Sequence, residues 1–395
     1  MSGPQPSWFR PVSGAAAAAV FLVSWALLHE GFYERDQIVD TPIYERYGEA
    51  MAAGQVPYRD FAVEYPPAAL PVFVAPALGE GDYRARFEGL MAGLGLAAVL
   101  VVAAVATSWW MPFFVAVAPL LLGSVALSRF DLWPAFLTAA ALALLLGARV
   151  RPALGVLGLA AAAKLYPALL APIALAHVWR TRGRREALVC GAIFAGVIAA
   201  IVLPFAVVSP AGVWHSFSVQ AERPLQIESL GAGILLAAHQ VFGLDLTMES
   251  SHGSQNLVGG AADTLAVLTT LVQIVAVVAI WVWSARGPAD RDRLVRASAA
   301  GVCAFIVFGK VLSPQFLIWL LPLVPLVRGR RGVLASGLVG GALVLTQLWF
   351  PYRYWELALE FDPTASWLVV CRDLTLVALV LVLTARGTGE RARSS

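Results

Sequence analysis

Runs of about 20 apolar residues recur along nearly the whole chain. A helix that crosses a bilayer needs about 20 mostly apolar residues, because the hydrocarbon layer is ~30 Å thick and each residue rises ~1.5 Å. Twelve segments fit that description: 12–28, 88–106, 111–127, 132–148, 152–164, 165–179, 187–208, 262–285, 295–312, 314–327, 333–350 and 367–385. Composition points the same way. Of the 395 residues, 59% are hydrophobic and 13% are charged, whereas a soluble domain carries about 25% charged residues. So few charges cannot cover a soluble surface of this size. The expected fold is therefore an all-α integral membrane protein, a polytopic helical bundle of about 12 (10–13) transmembrane helices, with residues 1–395 forming one domain. The chain is too apolar for intrinsic disorder. Three cysteines cannot make a disulfide scaffold.

Two stretches are short for a span. Residues 152–179 are too long for one helix and too short for two full crossings, and Pro167 and Pro172 break the helical ladder. They read as a short hairpin with Lys164 near its tip. Residues 66–78 open with Pro66-Pro67 and read as a re-entrant or interface helix.

Basic residues collect on the cytoplasmic side of short loops. With the N-terminus inside, the clusters at Arg149 and Arg151, Arg180 to Arg185, Arg286 to Arg296 and Arg328 to Arg331, and the tail 386–395, all fall inside. The acidic excess then falls outside. The expectation is a multi-pass plasma-membrane protein with both termini cytoplasmic. The apolar run after Arg10 reads as a signal anchor, since the small residues Ala15 to Ala19 open it instead of closing it at a cleavage site. Cys190, Cys303 and Cys371 fall inside spans and read as small buried hydrophobes.

Two connections are long, 29–87 and 209–261, and both face outside. Long polar loops are more often functional than merely connecting. In the first, Pro42 follows Asp40 and Thr41, so a capped helix is expected to run to about Met51 and stop at Gly54. Tyr44, Tyr47 and Met51 would line one face of this amphipathic helix at the membrane surface. Tyr58, Phe61 and Tyr65 would continue an interfacial aromatic belt. Read singly, these residues have simpler roles: Asp40 as an N-cap, Arg59 and Asp60 as a solvated pair. Together with others they form a polar set on one face: Arg129 and Asp131, Lys164, then Gln220, Glu222, Arg223, Gln226 and Glu228, then Lys310, Ser313 and Gln315. Ionisable groups at membrane depth are costly and mark function. Carboxylates rimming a basic outer cavity suit a lipid-anchored phosphate and a hydroxyl to be deprotonated.

Other motifs are weak. Gly89-x-x-x-Gly93 is a helix-packing pattern. Gly231-Ala232-Gly233 lacks the rest of a dinucleotide fingerprint. The histidines at 29, 177, 215, 239 and 252 have no metal-ligand spacing. No cofactor and no protein-ligated metal are expected, although carboxylates and a substrate phosphate could together hold a divalent cation. No nucleic-acid partner is expected.

The ordered set Asp40-x-x-x-Tyr44, Gly54-x-x-Pro57-Tyr58-Arg59-Asp60-Phe61, Glu64-Tyr65-Pro66-Pro67, Lys164-Leu165-Tyr166-Pro167, Glu222-Arg223-Pro224-Leu225-Gln226-Ile227-Glu228-Ser229 and Lys310-Val311-Leu312-Ser313-Pro314-Gln315-Phe316 resembles glycosyltransferase family 87. That family includes polyprenol-phosphate-mannose-dependent mannosyltransferases and belongs to the C-type glycosyltransferases. The likeness runs from residue 36 to about 325. It implies a C-type fold with two long extracytoplasmic loops. It also implies inverting transfer of a hexosyl group, a mannosyl group in this family, from a polyprenyl-phosphate sugar to a lipid or glycan acceptor. In that scheme Asp40, with Asp36 second, is the general base. Lys164, Arg223 and Lys310, then Arg59 and Arg129, hold the donor phosphate. Tyr44, Asp60, Glu64, Tyr65, Asp131, Gln220, Glu228 and Gln315 face sugar or acceptor. A transporter or flippase is the alternative. It would need midplane polar sites and usually an internal repeat. No repeat is visible, and Arg372-Asp373 is the only charged pair deep in a span, where it reads as structural. An inactive assembly partner is a third possibility.

Overall fold

The computed structural model describes residues 9–385. The tail 386–395 and its arginines lie outside the described residues. The helices are α1 (Phe9–Leu27), α2 (Thr41–Ala52), α3 (Leu70–Ala77), α4 (Tyr83–Val105), α5 (Trp110–Leu122), α6 (Ser124–Ser128), α7 (Leu132–Leu146), α8 (Val150–Ala163), α9 (Leu170–Arg182), α10 (Arg184–Val208), α11 (Pro210–Glu222), α12 (Leu230–Phe242), α13 (Gly260–Arg286), α14 (Arg291–Val307), α15 (Gly329–Trp349), α16 (Tyr354–Glu360) and α17 (Pro363–Thr384). Among the described residues, α1, α4, α10, α13, α15 and α17 are long and apolar enough to cross a membrane. Shorter apolar helices fill the space between them, so the chain is a helical multi-pass membrane protein.

Several expected spans change character. Residues 111–127 break at Gly123, whose φ of 58° separates α5 from α6. Residues 314–327 form no α-helix. They fold as two 3-10 stretches, Pro314–Leu320 and Val324–Leu326. Pro314, Pro322 and Pro325 each remove a backbone donor from the ladder. The segment is nonetheless core, with Leu317, Ile318 and Leu320 fully buried. The 152–179 stretch is two short helices, α8 and α9, with Lys164 between them in extended conformation. Helix α3 has eight residues and does not cross.

Helix α14 is the centre of the bundle. Every residue from Arg293 to Ala304 is buried. Its run of Ala, Ser and Gly lets neighbours approach closely, and α13, α17 and α9 pack on it. Helix α10 is the opposite case. Only Ala187 and Cys190 are buried, and Leu188, Leu203 and Val207 face outward.

The arginine-rich end does structural work. The last carbonyls of a helix have no partner within it, and cations there also oppose the helix dipole. Arg291 donates to Val105 O at the end of α4 at 2.9 Å. Arg182 donates to Ala148 O just past α7 at 3.3 Å. Arg180 donates to Ala285 O near the end of α13 at 3.0 Å. Arg296 donates to Leu383 O near the end of α17 at 2.8 Å. Residues from α9 and α14 thus tie down the ends of four other helices.

The opposite end carries the two long connections. In the first, α2 spans the expected residues and ends before Gly54, whose φ is 84°. The Tyr44, Tyr47 and Met51 face turns into the protein. It packs on α3, where Gly48 meets the Phe73 carbonyl so closely that a Cβ would sit 2.3 Å from it. Tyr44 is 1% exposed and stacks on Phe73 at 4.6 Å. Tyr58 is likewise buried, and its hydroxyl donates to Tyr65 O at 2.6 Å. Tyr44 and Tyr58 are thus core residues, and Tyr47, Phe61 and Tyr65 pack partly buried against that core.

The second connection is not all helix. Strands β1 (Leu225–Gln226), β2 (Thr247–Ser251) and β3 (Ser254–Val258) form an antiparallel sheet ordered β1-β3-β2. Leu225 lies opposite Leu257, and Gln226 opposite Asn256. The β2–β3 turn is His252-Gly253, both at positive φ, as a two-residue hairpin requires. Helix α12 packs on α17.

Candidate active site

A cavity of about 480 Å³ opens at the end of the bundle that carries the two long connections. Small-molecule sites occupy roughly 300–1,000 Å³. Its wall is built from the start of α2, the Glu64-Tyr65-Pro66 turn, Arg129 before α7, the Lys164 segment, the second connection, Thr270 and Gln273 of α13, residues 305–319, and Phe350 with Tyr354. Of the residues expected from sequence, Asp40, Glu64, Tyr65, Arg129, Lys164, Gln220, Arg223, Gln226, Glu228, Lys310, Ser313 and Gln315 line it.

The others do not. Asp36 is exposed outside the lining, at φ 51°. Arg59 and Asp60 pair with each other at 2.8 Å beyond the cavity. That pairing holds the Asp60 carboxyl down at about 2. Tyr44 is committed to the aromatic core, with only its hydroxyl reaching towards Asp40 Oδ2 at 3.4 Å. Asp131 lies behind the wall and is wholly buried.

Asp40 stands at the N-terminus of α2, yet its side chain caps no backbone N–H. Its Oδ2 instead pairs with Arg129 Nη1. Arg129 follows α6 in extended conformation and is 6% exposed. Its Nη2 donates to Ile38 O at 3.4 Å, while its buried Nε has no partner. Burial pulls the guanidinium down to about 10, so it is charged at neutral pH.

Lys164 is fixed from several sides. Its Nζ donates to Asp131 Oδ1 at 2.6 Å and lies 4.6 Å from the Phe130 ring centre. Trp319 Nε1 donates to the same Asp131 oxygen at 2.6 Å. Tyr166, two residues after the lysine, stacks on Trp319 at 4.1 Å. Asp131 therefore holds the lysine in place, and does not itself face the cavity.

The second connection and the 310–313 segment are stitched together. Gln226 N donates to Lys310 O at 2.9 Å, and its side-chain amide donates to Ser313 Oγ at 2.9 Å. Lys310 Nζ donates to Ala221 O at 2.7 Å. Arg223 reaches the hairpin turn, donating to His252 O at 3.0 Å and to Ser254 Oγ at 3.2 Å. Burial lowers its pKa below the usual guanidinium value. Neither Lys310 nor Arg223 has a carboxylate at ion-pair distance among the described residues.

Glu228 is 2% exposed, and burial pushes its carboxyl up to about 8. The residue lines the cavity, and its Oε2 is buried with no hydrogen-bond partner. Its backbone carbonyl accepts from Arg372 Nη2 at 2.6 Å. Arg372 in turn pairs with Asp373 at 2.6 Å, both fully buried. The deep pair expected from sequence thus fastens the segment that carries Glu228.

Sequence reasoning missed His252, Gln273, Trp319 and Tyr354, which also line the cavity. Trp319 lies in a stretch that reads as a span, and Gln273 in a long apolar helix. A lone Gln in an apolar helix was the available signal for the latter. Among the described residues, no group of three or more His, Cys, Asp or Glu is placed to hold a metal ion.

Comparison with known proteins adds a family. The model of glycosyltransferase family 87 matches residues 63–314. No curated protein matches the chain. Among solved structures, ArnT from Cupriavidus metallidurans bound to undecaprenyl phosphate is similar, with 17% identity and a TM-score of 0.47, covering 94% of this chain and 76% of that one.

Proposed function

The chain belongs to glycosyltransferase family 87 and is a membrane glycosyltransferase, and from that premise we propose that it moves a hexosyl group, specifically mannosyl, from a polyprenyl-phosphate sugar to a lipid or glycan hydroxyl, with inversion. One observation carries the reading: a single cavity joins an uncapped aspartate to Arg129, Lys164, Arg223 and Lys310. Asp40 takes the acceptor proton. The cations meet the charge that gathers on the departing phosphate, so no metal is invoked. Gln220, Glu228, Gln315, Glu64 and Tyr65 are among the polar lining groups that can meet sugar and acceptor hydroxyls. Asp36, Arg59, Asp60 and Tyr44 lie outside the lining and have no direct role in this scheme.

A lipid-anchored donor suits the wall. Helix α13 contributes Thr270 and Gln273 to the cavity, and its other face exposes Val267, Leu271 and Val275. One helix thus separates the cavity from hydrocarbon. The arginine-rich end is placed in the cytoplasm by the positive-inside rule. The described N-terminus and the C-terminal end of α17 lie there, and the cavity opens outside the plasma membrane. About twelve crossings, some of them by short or broken helices, complete this topology.

Asp40→Asn tests the base. Purified variant and parent are incubated with a polyprenyl-phosphate hexose and extracted envelope lipids, and products are read by mass. Transfer should fall by at least ~10²-fold, the scale of general-base catalysis. Undiminished transfer by the folded variant would overturn the assignment.

A further inference from the structure

The four cavity cations are not equivalent. Lys164 is already matched by Asp131, a carboxylate behind the wall that the reaction does not touch. Arg223 and Lys310 have no carboxylate partner among the described residues, and their hydrogen bonds go to one hydroxyl, one amide and backbone carbonyls. They offer standing positive charge. Arg129 alone is paired with the proposed base, and both partners line the same cavity. Its Nε is buried without a partner.

Resting on the glycosyltransferase reading above, we propose that Arg129 is a shared counter-ion, paired with Asp40 before transfer and with the leaving phosphate after it. The chemistry moves one negative charge between those two places. The acceptor O–H proton passes to an Asp40 carboxylate oxygen. The acceptor oxygen's electron pair forms the new bond to C1 of the sugar. The bond from C1 to the phosphate oxygen breaks, and its electron pair stays on phosphate. Asp40 goes from anion to neutral acid. The phosphate goes from a monoanionic diester to a monoester, which is largely dianionic at neutral pH because its second pKa is about 6. The guanidinium thus loses one partner as it gains the other, and never stands in the buried site without a counter-charge. Its fork of donors suits both carboxylate and phosphate. The standing charge of Arg223 and Lys310 serves the diester, which carries its single charge throughout binding.

This division makes a prediction about binding, with no turnover required. Full-length protein in lipid nanodiscs is titrated with polyprenyl monophosphate, the product. Parent, Asp40→Asn, Arg129→Gln and the double variant are compared. Asp40→Asn should bind about tenfold more tightly than the parent, because its guanidinium is released to phosphate and a charge-assisted hydrogen bond contributes on that scale. In the Arg129→Gln background the same change should give less than a threefold gain. An equal gain in both backgrounds, which simple relief of anion repulsion would produce, overturns the proposal. So does no gain in either. Binding by none of the four overturns the donor reading itself, and the inference with it. Should Arg129→Gln not fold, Arg129→Lys keeps the charge but loses the fork. Its gain should fall below a third of that in the parent background, and an undiminished gain overturns the proposal.

Discussion

Glu228 shows how a single side chain in this cavity acquires its chemistry from what surrounds it. Burial raises its carboxyl to about 8, so it holds its proton at neutral pH and presents an O–H donor to the cavity. As pH rises through 8 the proton leaves and the donor becomes an acceptor. The donor-substrate KM of the parent should therefore rise on passing pH 8, by up to about tenfold for one lost hydrogen bond. Glu228→Gln, which always carries an N–H donor, should show a flat profile. Steady-state kinetics between neutral and alkaline pH checks this, and a parallel rise in the variant would remove Glu228 from sugar recognition. Residue identity was readable from sequence to different depths. Asp40, Lys164 and Glu228 stand in ordered motifs, and all three line the cavity. Asp131 stands in the same neighbourhood but turns away, because Trp319, far along the chain, shares its oxygen with Lys164. No spacing rule contains that contact.

Among the elements, α11 shows how the two long connections are made to meet. Ser209 Oγ donates to Tyr58 O at 2.8 Å. Gly212, one turn on, lies so close that a Cβ would sit 2.0 Å from that same carbonyl. Gly212→Ala should push α11 away from the first connection and lower stability by ~1–3 kcal/mol, the usual cost of overpacking. Thermal unfolding of the purified variant measures it, and an unchanged midpoint would show that the contact is slack. Elements with a strong local signal were legible, such as α2 between its proline and its glycine. The sheet was not. Thr247–Ser251 is polar, mostly exposed and barely alternates, so it reads as loop. The 314–327 stretch misled in the other direction. Its hydropathy is that of a span, but three prolines break the ladder, and all but Gln315 and Phe316 are buried, so it is a plug inside the bundle.

Across the whole molecule, one end is held by arginines on helix termini and the other is shaped into a cavity. The sequence foretold the separation of charge, because charge asymmetry follows membrane insertion directly. It could not foretell that the same arginines would close the ends of α4, α7, α13 and α17. Sidedness is open to a simple measurement. A cysteine introduced at exposed Thr181 should react with a membrane-impermeant maleimide only after cells are permeabilised. One introduced at exposed Glu249 should react in intact cells. The reverse pattern would invert the topology.

The two helices that join the second connection to the rest of the chain, α10 and α13, are also among the least buried of the long helices. Lipid, more than protein, is what solvates them. They act as stilts standing in the bilayer, and the segment bearing Arg223 and Glu228 rides on top. A thicker or thinner membrane must tilt such stilts, at a cost of a fraction of a kcal/mol per Å of mismatch. The catalytic rate should therefore vary with acyl-chain length when the protein is reconstituted into a series of phosphatidylcholines at constant headgroup, while detergent-solubilised protein should lose this dependence. A rate independent of chain length would mean that the packing of α12 on α17 and of β1 on Lys310 holds the cavity alone. A rate that follows chain length would make the bilayer a gauge block for this enzyme, setting where the segment bearing Arg223 and Glu228 stands.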